Sequence, residues 1–385
     1  MVKYILYEYA RKCRLLCSVV VGATNGYIDE NGYCFRQLQF RSKLYMDKTI
    51  ICRSLSPGKG PGSCCDNKEE ENAMPFTKKP QVFNCSIKAI TIGTEGREMT
   101  LGGSNVYPLY SFDAPIENMP KVGIEVSDLG YDATIPGLAA FYAGAETVAE
   151  QAARAAAAEG VDFVCLKLDS ANPNEQDASV ESCVATAKAV YEAINKPLAI
   201  MGSKNAEKDA ELLTKVAEAL QGKNVLLLSA TEENYKTVGA GSVLAAQQKV
   251  SCESAVDINL AKQLNVLMTQ MGIPAGNTVM NVGTATAGYG FEYVASTMDR
   301  IKGAAMTQND TTLQMPIITP IGEAWSVKEA LLEEADAPAW GAREERGIQM
   351  EIVTASACIA SGSDAVTLVH PESAKAISEL VSALQ

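Results

Sequence analysis

A closed (β/α)8 barrel, the α/β fold also called a TIM barrel, is the fold class that this 385-residue sequence predicts over residues 116–385. Three observations carry the expectation. Eight short apolar runs recur along the chain, helix-length segments with apolar residues at helical spacing separate them, and the units fill about 270 residues where roughly 250 is usual for such barrels. A doubly wound open sheet is the alternative, but it rarely needs eight such even units.

The order begins with a hairpin. In residues 74–115, SIKAITIG and MTLGG alternate apolar residues on either side of the charged, glycine-bearing turn TEGRE, and this β-hairpin segment is expected to cap the barrel. The barrel strands follow as KVGIEVS (121–127), VDFVCLKL (161–168), PLAIMGS (197–203), NVLLLSA (224–230), KVSCE (249–253), TVMNVGT (278–284), MPIITP (315–320) and AVTLVHP (365–371). Such near-continuous apolar runs suit parallel strands covered on both faces. ETVAEQAARAAAAEG, SVESCVATAKAVYEAI, AEKDAELLTKVAEALQG, DINLAKQLNVLMTQMG and SAKAISELVSALQ read as helices, several closing on the glycine that helix C-termini favour.

Residues 1–73 differ from the rest. They hold 11 Lys+Arg against 8 Asp+Glu, a net +3, whereas the remainder holds 22 against 38, and six of the 11 cysteines fall among them. The stretch SLSPGKGPGSCCDNKEEENAMPF joins the two parts through Pro, Gly and acidic residues, so a boundary is expected at Met74. The cysteine spacings match no zinc or iron–sulfur pattern. A poorly structured extension, or sequence upstream of a true start at Met74, is the expectation for this segment.

Charge and hydropathy exclude whole classes of function. A net charge of −13 argues against a nucleic-acid or anionic-membrane partner, and no apolar run approaches the roughly 18 residues of a membrane span. The five scattered cysteines after Met74 suit a reducing cytoplasm better than a disulfide framework.

In such barrels ligands bind at the C-terminal ends of the strands. The residues expected there are Glu125, Asp128, Lys167, Asp169, Ser203, Ser229 to Asn234, Glu253 to Asn259, Asn281 to Gly290, Thr319 and His370. The loop NVGTATAGYGFEY places Gly283 and Gly288 at phosphate-loop spacing, but Tyr289 and Gly290 stand where lysine and a hydroxyl residue are required. What remains is a bare strand-to-helix loop that permits unusual dihedrals or close approach of a flat ligand. His370, the only histidine, rules out a histidine-cluster metal site and any Ser-His-Asp triad not built on it; its neighbours place it at a strand end or helix start. Asp169, Asp257 and Asn259 are also suited to capping helices. No catalytic residue is singled out.

The blocks LKLDSANPNEQDASVESCVATAKAV, SATEENYKTV, DINLAKQLNVLMTQM, GYGFEYVASTMDRIK, MPIITPIGEAWSVKEA, PAWGAREERGIQMEIVTASACIASGSD and LVHPES resemble the small (delta) subunit of the corrinoid iron–sulfur protein of the acetyl-CoA decarbonylase/synthase complex. The resemblance runs from about Ile87 to the C-terminus. It implies a TIM barrel of the reductive acetyl-CoA (Wood–Ljungdahl) pathway, a non-redox subunit paired with a large (gamma) subunit that carries the iron–sulfur cluster, and a corrinoid (cobalamin) shared over the barrel mouth. It further implies encounters with a methyltetrahydrofolate corrinoid methyltransferase and with acetyl-CoA synthase. Under it, Gly288 and Gly290 would let backbone amides approach the corrin edge, with Tyr289 packing nearby and Asn281 at the start of the same loop. The alternative is a TIM-barrel methyltransferase that binds methyltetrahydrofolate itself, with Asp169 or Asn234 recognising the pterin's amide and amine edge.

Overall fold

Alternation decides how each barrel strand faces. In β3 (Lys121–Ser127), Val122, Ile124 and Val126 pack outward under the helices, so Gly123, Glu125 and Ser127 face inward. The computed structural model describes residues 79–94 and 96–384, plus one two-residue antiparallel pairing of Tyr27–Ile28 with Cys34–Phe35. The chain divides into Met1–Thr77 and Lys78–Gln385. Apart from that pairing, the expected extension over 1–73 lies outside the described residues.

The hairpin comprises β1 (Ile90–Ile92) and β2 (Met99–Leu101), paired antiparallel. The other barrel strands are β4 (Phe163–Lys167), β5 (Leu198–Met201), β6 (Leu226–Ala230), β7 (Lys249–Glu253), β8 (Thr278–Asn281), β9 (Ile318–Pro320) and β10 (Ala365–Leu368). All neighbours are parallel, in the order β8-β7-β6-β5-β4-β3-β10-β9. A single parallel bridge between Met280 and Ile317, with the Met280 N–H donating to Pro316 O at 2.8 Å, joins β8 to β9 and closes the ring.

Side chains fill the ring. Ile90, Ile92, Met99 and Leu101 of the hairpin cluster with Phe163, Leu226 and Ala365, each the first residue of its strand, so the hairpin plugs the N-terminal end. Arg97 ties it in place by donating to Tyr191 O and Ile194 O (3.2 and 2.8 Å). A Cβ on Gly123 would lie 2.6 Å from the Phe163 ring, so glycine there makes room for the largest interior side chain. With the N-terminal end plugged, the C-terminal end is where such a barrel takes a ligand.

The helices begin where capping chemistry starts them. Thr147 and Glu150 form a reciprocal capping box for α2 (Val148–Ala157), which follows a short α1 (Pro136–Phe141). Ser179 caps α3 (Val180–Ala193) and Asn205 caps α4 (Ala206–Ala219). After β6 the chain departs from a regular helix: α5 (Tyr235–Val238) runs into a π-helical stretch, Gly239–Ala245, whose two glycines are poor helix formers and lie against Met268, Ile273 and Thr214. Asp257 caps α6 (Ile258–Gln270). The longer helices are α7 (Phe291–Thr307) and α9 (Arg343–Ser361), with a four-residue α8 (Lys328–Leu331) between β9 and α9. His370 caps α10 (Pro371–Ala383), its Nδ1 accepting from the Glu372 N–H.

Candidate functional site

The inward alternation of β3, β4, β7, β8 and β10 brings Glu125, Lys167, Glu253, Asn281 and Thr367 to the upper interior of the barrel. Glu125 is buried. Its Oε1 accepts from the Thr367 hydroxyl at 2.6 Å and from the Gly322 N–H at 3.3 Å, and a Cβ at Gly322 would strike its Oε2. Lys167 Nζ lies 3.6 Å from Glu125 Oε2 and 3.7 Å from Asp169 Oδ2. Burial works against the lysine's charge, but the two carboxylates override it and its pKa is raised, so Lys167 stays an ammonium. Asp169 Oδ2 also accepts from the Ser127 hydroxyl at 2.6 Å.

Other carboxylates near the strand ends hold loops. Asp128 accepts from the backbone N–H and the hydroxyl of Ser170 (2.8 and 2.5 Å), and Asp209 accepts the same two donors from Ser203 (both 2.7 Å). Burial raises both pKa values against those hydrogen bonds. Strain lies on neighbouring strand ends: Ser229, inside β6, and Ala255 and Val256, just after β7, have φ of 76°, 45° and 65°, a region costly for non-glycine residues and most of all for a β-branched one.

The residues singled out from sequence occupy four settings. Asp169 stands beside Lys167 at the mouth. Asn281, buried at the end of β8, is four strands from Asp169 in an eight-stranded ring and so on the opposite wall. Its Oδ1 accepts from the Gly283 N–H at 2.9 Å, while its Nδ2 has no acceptor among the described residues. Asn234 is spent on its own loop, Oδ1 accepting from the Thr231 N–H (2.8 Å) and Nδ2 donating to Ala206 O (3.2 Å).

Gly288 and Gly290 adopt φ of 88° and 94°; no atom would approach within 4 Å of a Cβ on Gly288, and only the Tyr293 ring, at 3.6 Å, would approach one on Gly290. The loop is braced from behind by the Thr354 hydroxyl, which accepts from the Ala287 N–H at 3.1 Å. Tyr289 is about half exposed, and its hydroxyl donates to Glu329 Oε2 at 2.7 Å. Bare backbone without close neighbours therefore lies in the loop after β8, across the ring from the charged Lys167–Asp169 wall.

The sequence did not single out Ser127, which fixes Asp169, and it placed Val256 at the mouth without its positive φ; the Val256 N–H donates to Val282 O at 2.7 Å. A strand-end serine immediately before a turn was a usable signal; nothing about a valine announces a positive φ. Among the described residues no group of three or more His, Cys, Asp or Glu could hold a metal ion, and no helix is long and apolar enough to cross a membrane.

Comparison with known proteins adds the family. Residues 89–368 match the family described as CO dehydrogenase/acetyl-CoA synthase delta subunit. Acetyl-CoA decarbonylase/synthase complex subunit delta 2 of Methanosarcina acetivorans is 31% identical over 299 residues, covering 76% of this chain and 67% of that protein. Subunit delta of Methanopyrus kandleri is 34% identical, covering 74% and 70%, and that of Methanothermobacter thermautotrophicus is 31% identical, covering 81% and 80%. Among solved structures, 7,8-dihydropteroate synthase from Vibrio fischeri ES114 aligns over 77% of this chain and 98% of that one at 10% identity, with a TM-score of 0.48, too low to bear on function. The chain belongs to the CO dehydrogenase/acetyl-CoA synthase delta subunit family.

Proposed function

We propose that this chain is the small subunit of a heterodimeric corrinoid iron–sulfur protein, and that its barrel mouth helps hold the corrinoid carrying a methyl group from methyltetrahydrofolate to acetyl-CoA synthase. The observation that carries the reading is membership of the delta subunit family over residues 89–368. Its partners are then the large (gamma) corrinoid subunit, a methyltetrahydrofolate corrinoid methyltransferase and acetyl-CoA synthase.

The residues present fit such a group. A corrin is a broad, largely neutral disc edged with amides, and the mouth offers open backbone at Gly288 and Gly290 on one wall and polar side chains on the other. Buried hydroxyls at Thr231, Ser254 and Thr284, just beyond the ends of β6, β7 and β8, have no partner among the described residues, as expected of a rim finished by something outside the chain. When bound, the corrinoid supplies a cobalt centre able to accept and release a methyl group. The chain's own part is to orient and shield: Tyr289 lays a ring beside the glycine loop, Asn281 offers an amide N–H, and Lys167 and Asp169 offer a donor and an acceptor.

The test is to mix the full chain with the large corrinoid subunit and follow size-exclusion chromatography by corrin absorbance. A one-to-one coloured peak is the expected result. A chain that never joins that peak, yet binds methyltetrahydrofolate alone at micromolar concentration, would replace this reading with the methyltransferase one.

A further inference from the structure

We infer that Lys167 and Asp169 form a recognition pair for an amide edge, the ammonium donating to a carbonyl oxygen and the carboxylate accepting from the adjoining N–H. The inference rests on the reading that the mouth faces a corrinoid, and it names the atoms that face the cofactor's rim.

Unsatisfied hydrogen bonding is the first ground. An ammonium has three N–H donors, and distances of 3.6 and 3.7 Å hold Lys167 by charge while exceeding the 2.7–3.2 Å span of N–H···O bonds. Among the described residues it has no closer acceptor. Glu125 Oε1 is already taken by Thr367 and Gly322, its Oε2 belongs to a buried side chain, and Asp169 Oδ2 is taken by Ser127, so Asp169 Oδ1 is the open acceptor on the more exposed carboxylate.

Accessibility sorts the three groups. The Glu125 side chain is 4% exposed, whereas those of Lys167 and Asp169 are 23% and 24% exposed. Glu125 forms the floor, and the pair above it meets the solvent.

Charge then selects the ligand. One ammonium between two carboxylates leaves the cluster at −1, which repels phosphates and carboxylates, while a cation would meet Lys167 itself. A neutral group bearing an acceptor beside a donor satisfies both members. The O and N of one amide lie about 2.2 Å apart, and hydrogen bonds fanning outward from them reach partners a few ångströms apart, the order of the 3.7 Å between Nζ and the Asp169 carboxylate at Oδ2. Two molecules bring that chemistry to a methyl-transfer barrel: the primary amides around a corrin, and the lactam edge of a pterin.

The full chain in complex with the large subunit tests this with two corrin probes, cobinamide and cobinamide whose side-chain amides are hydrolysed to carboxylates, each read by visible absorbance and cobalt content. Lys167→Met is expected to weaken cobinamide retention about 10–100-fold, and the wild-type complex is expected to discriminate against the hydrolysed probe by a similar factor. The second comparison needs no variant, so it stands even if Lys167→Met fails to fold. In parallel the chain alone is titrated with tetrahydrofolate. If Lys167→Met abolishes pterin binding and spares cobinamide, the amide site stands and its occupant is the pterin. A folded Lys167→Met with unchanged affinity for both, together with no discrimination between the corrin probes, overturns the inference while leaving the subunit reading intact. A wild-type complex that takes up no corrinoid overturns the subunit reading instead, and the pterin titration alone then decides the amide site.

Discussion

Lys302 Nζ lies 2.7 Å from Asp364 Oδ2, with the lysine side chain 1% exposed and the aspartate side chain 11%. The pair spans the weakest seam of the barrel. The same Oδ2 accepts from the Ile317 N–H at 2.8 Å, and the Asp364 N–H donates to Ile317 O at 2.7 Å, so one residue before β10 grips the residue that bridges β8 to β9. Lys302, from α7, neutralises the grip. Asp364→Ala is expected to destabilise the fold by about 3–5 kcal/mol by stranding a buried ammonium, and adding Lys302→Met to recover a large part of that loss. Denaturant unfolding of the two single variants and the double variant measures this; strictly additive losses would show that the pair is uncoupled.

The glycine loop separates strain from ligand contact. Neither Gly288 nor Gly290 has a close neighbour, so alanine at either position costs only the positive φ, about 1–2 kcal/mol. Valine strains the backbone further and projects methyls into the open face. We expect Gly288→Val and Gly290→Val to leave the barrel folded by circular dichroism while cutting corrinoid retention in the heterodimer well below that of the alanine variants. Equal cobalt content in all four variants would assign the glycines to the turn alone.

Parallel strands buried on both faces announce themselves, and the eight apolar runs lie where the eight strands form, β9 trimmed from six expected residues to Ile318–Pro320. Strand ends then locate the mouth without further information. The pairing of Lys167 with Glu125 was less legible, because it depends on register: Glu125 sits opposite Cys165, and the inward pleat brings Lys167 above it. Asn234 shows the converse. Its position after a strand suited ligand recognition as well as loop support, and only in the folded chain do Thr231 and Ala206 meet its amide. The strained Ser229, Ala255 and Val256 were illegible because tertiary contacts, not residue type, impose their conformation.

Trp325 provides a spectroscopic probe of the region behind β10. Its ring stacks on His370 with centroids 5.9 Å apart, and a Cβ on Gly347 would fall 2.2 Å from it. His370 Nε2 lies 3.1 Å from Glu344 Oε1, which also accepts from the Gly137 N–H at 2.6 Å, so the stack anchors α9 against α1. Gly347→Ala is expected to expel the indole, costing about 1–3 kcal/mol by overpacking and changing the tryptophan fluorescence and near-UV circular dichroism. An unchanged spectrum with unchanged stability would mean that the helix shifts to accept the methyl.

Glu351 gives the fold a pH dependence of predictable sign. Its side chain is fully buried, and burial pushes the carboxyl up to about 7, against the N–H groups of Val369 and His370 that donate to it at 2.5 and 3.2 Å. In the unfolded chain the same carboxyl titrates near the ordinary 4.5. Below that value both states are protonated and the group contributes nothing to the slope. Between about 4.5 and about 7 the folded state holds a proton that the unfolded state has released, so stability falls as pH rises; above about 7 both states are ionised and the loss levels off at about 3 kcal/mol. Glu351→Gln mimics the protonated form, with one acceptor and no charge to bury. Its unfolding free energy, measured from pH 4 to pH 8, is expected to lack this decline, so that the difference between variant and wild type shifts in the variant's favour as pH rises. Parallel curves across that interval would show that Glu351 does not titrate there in the folded protein.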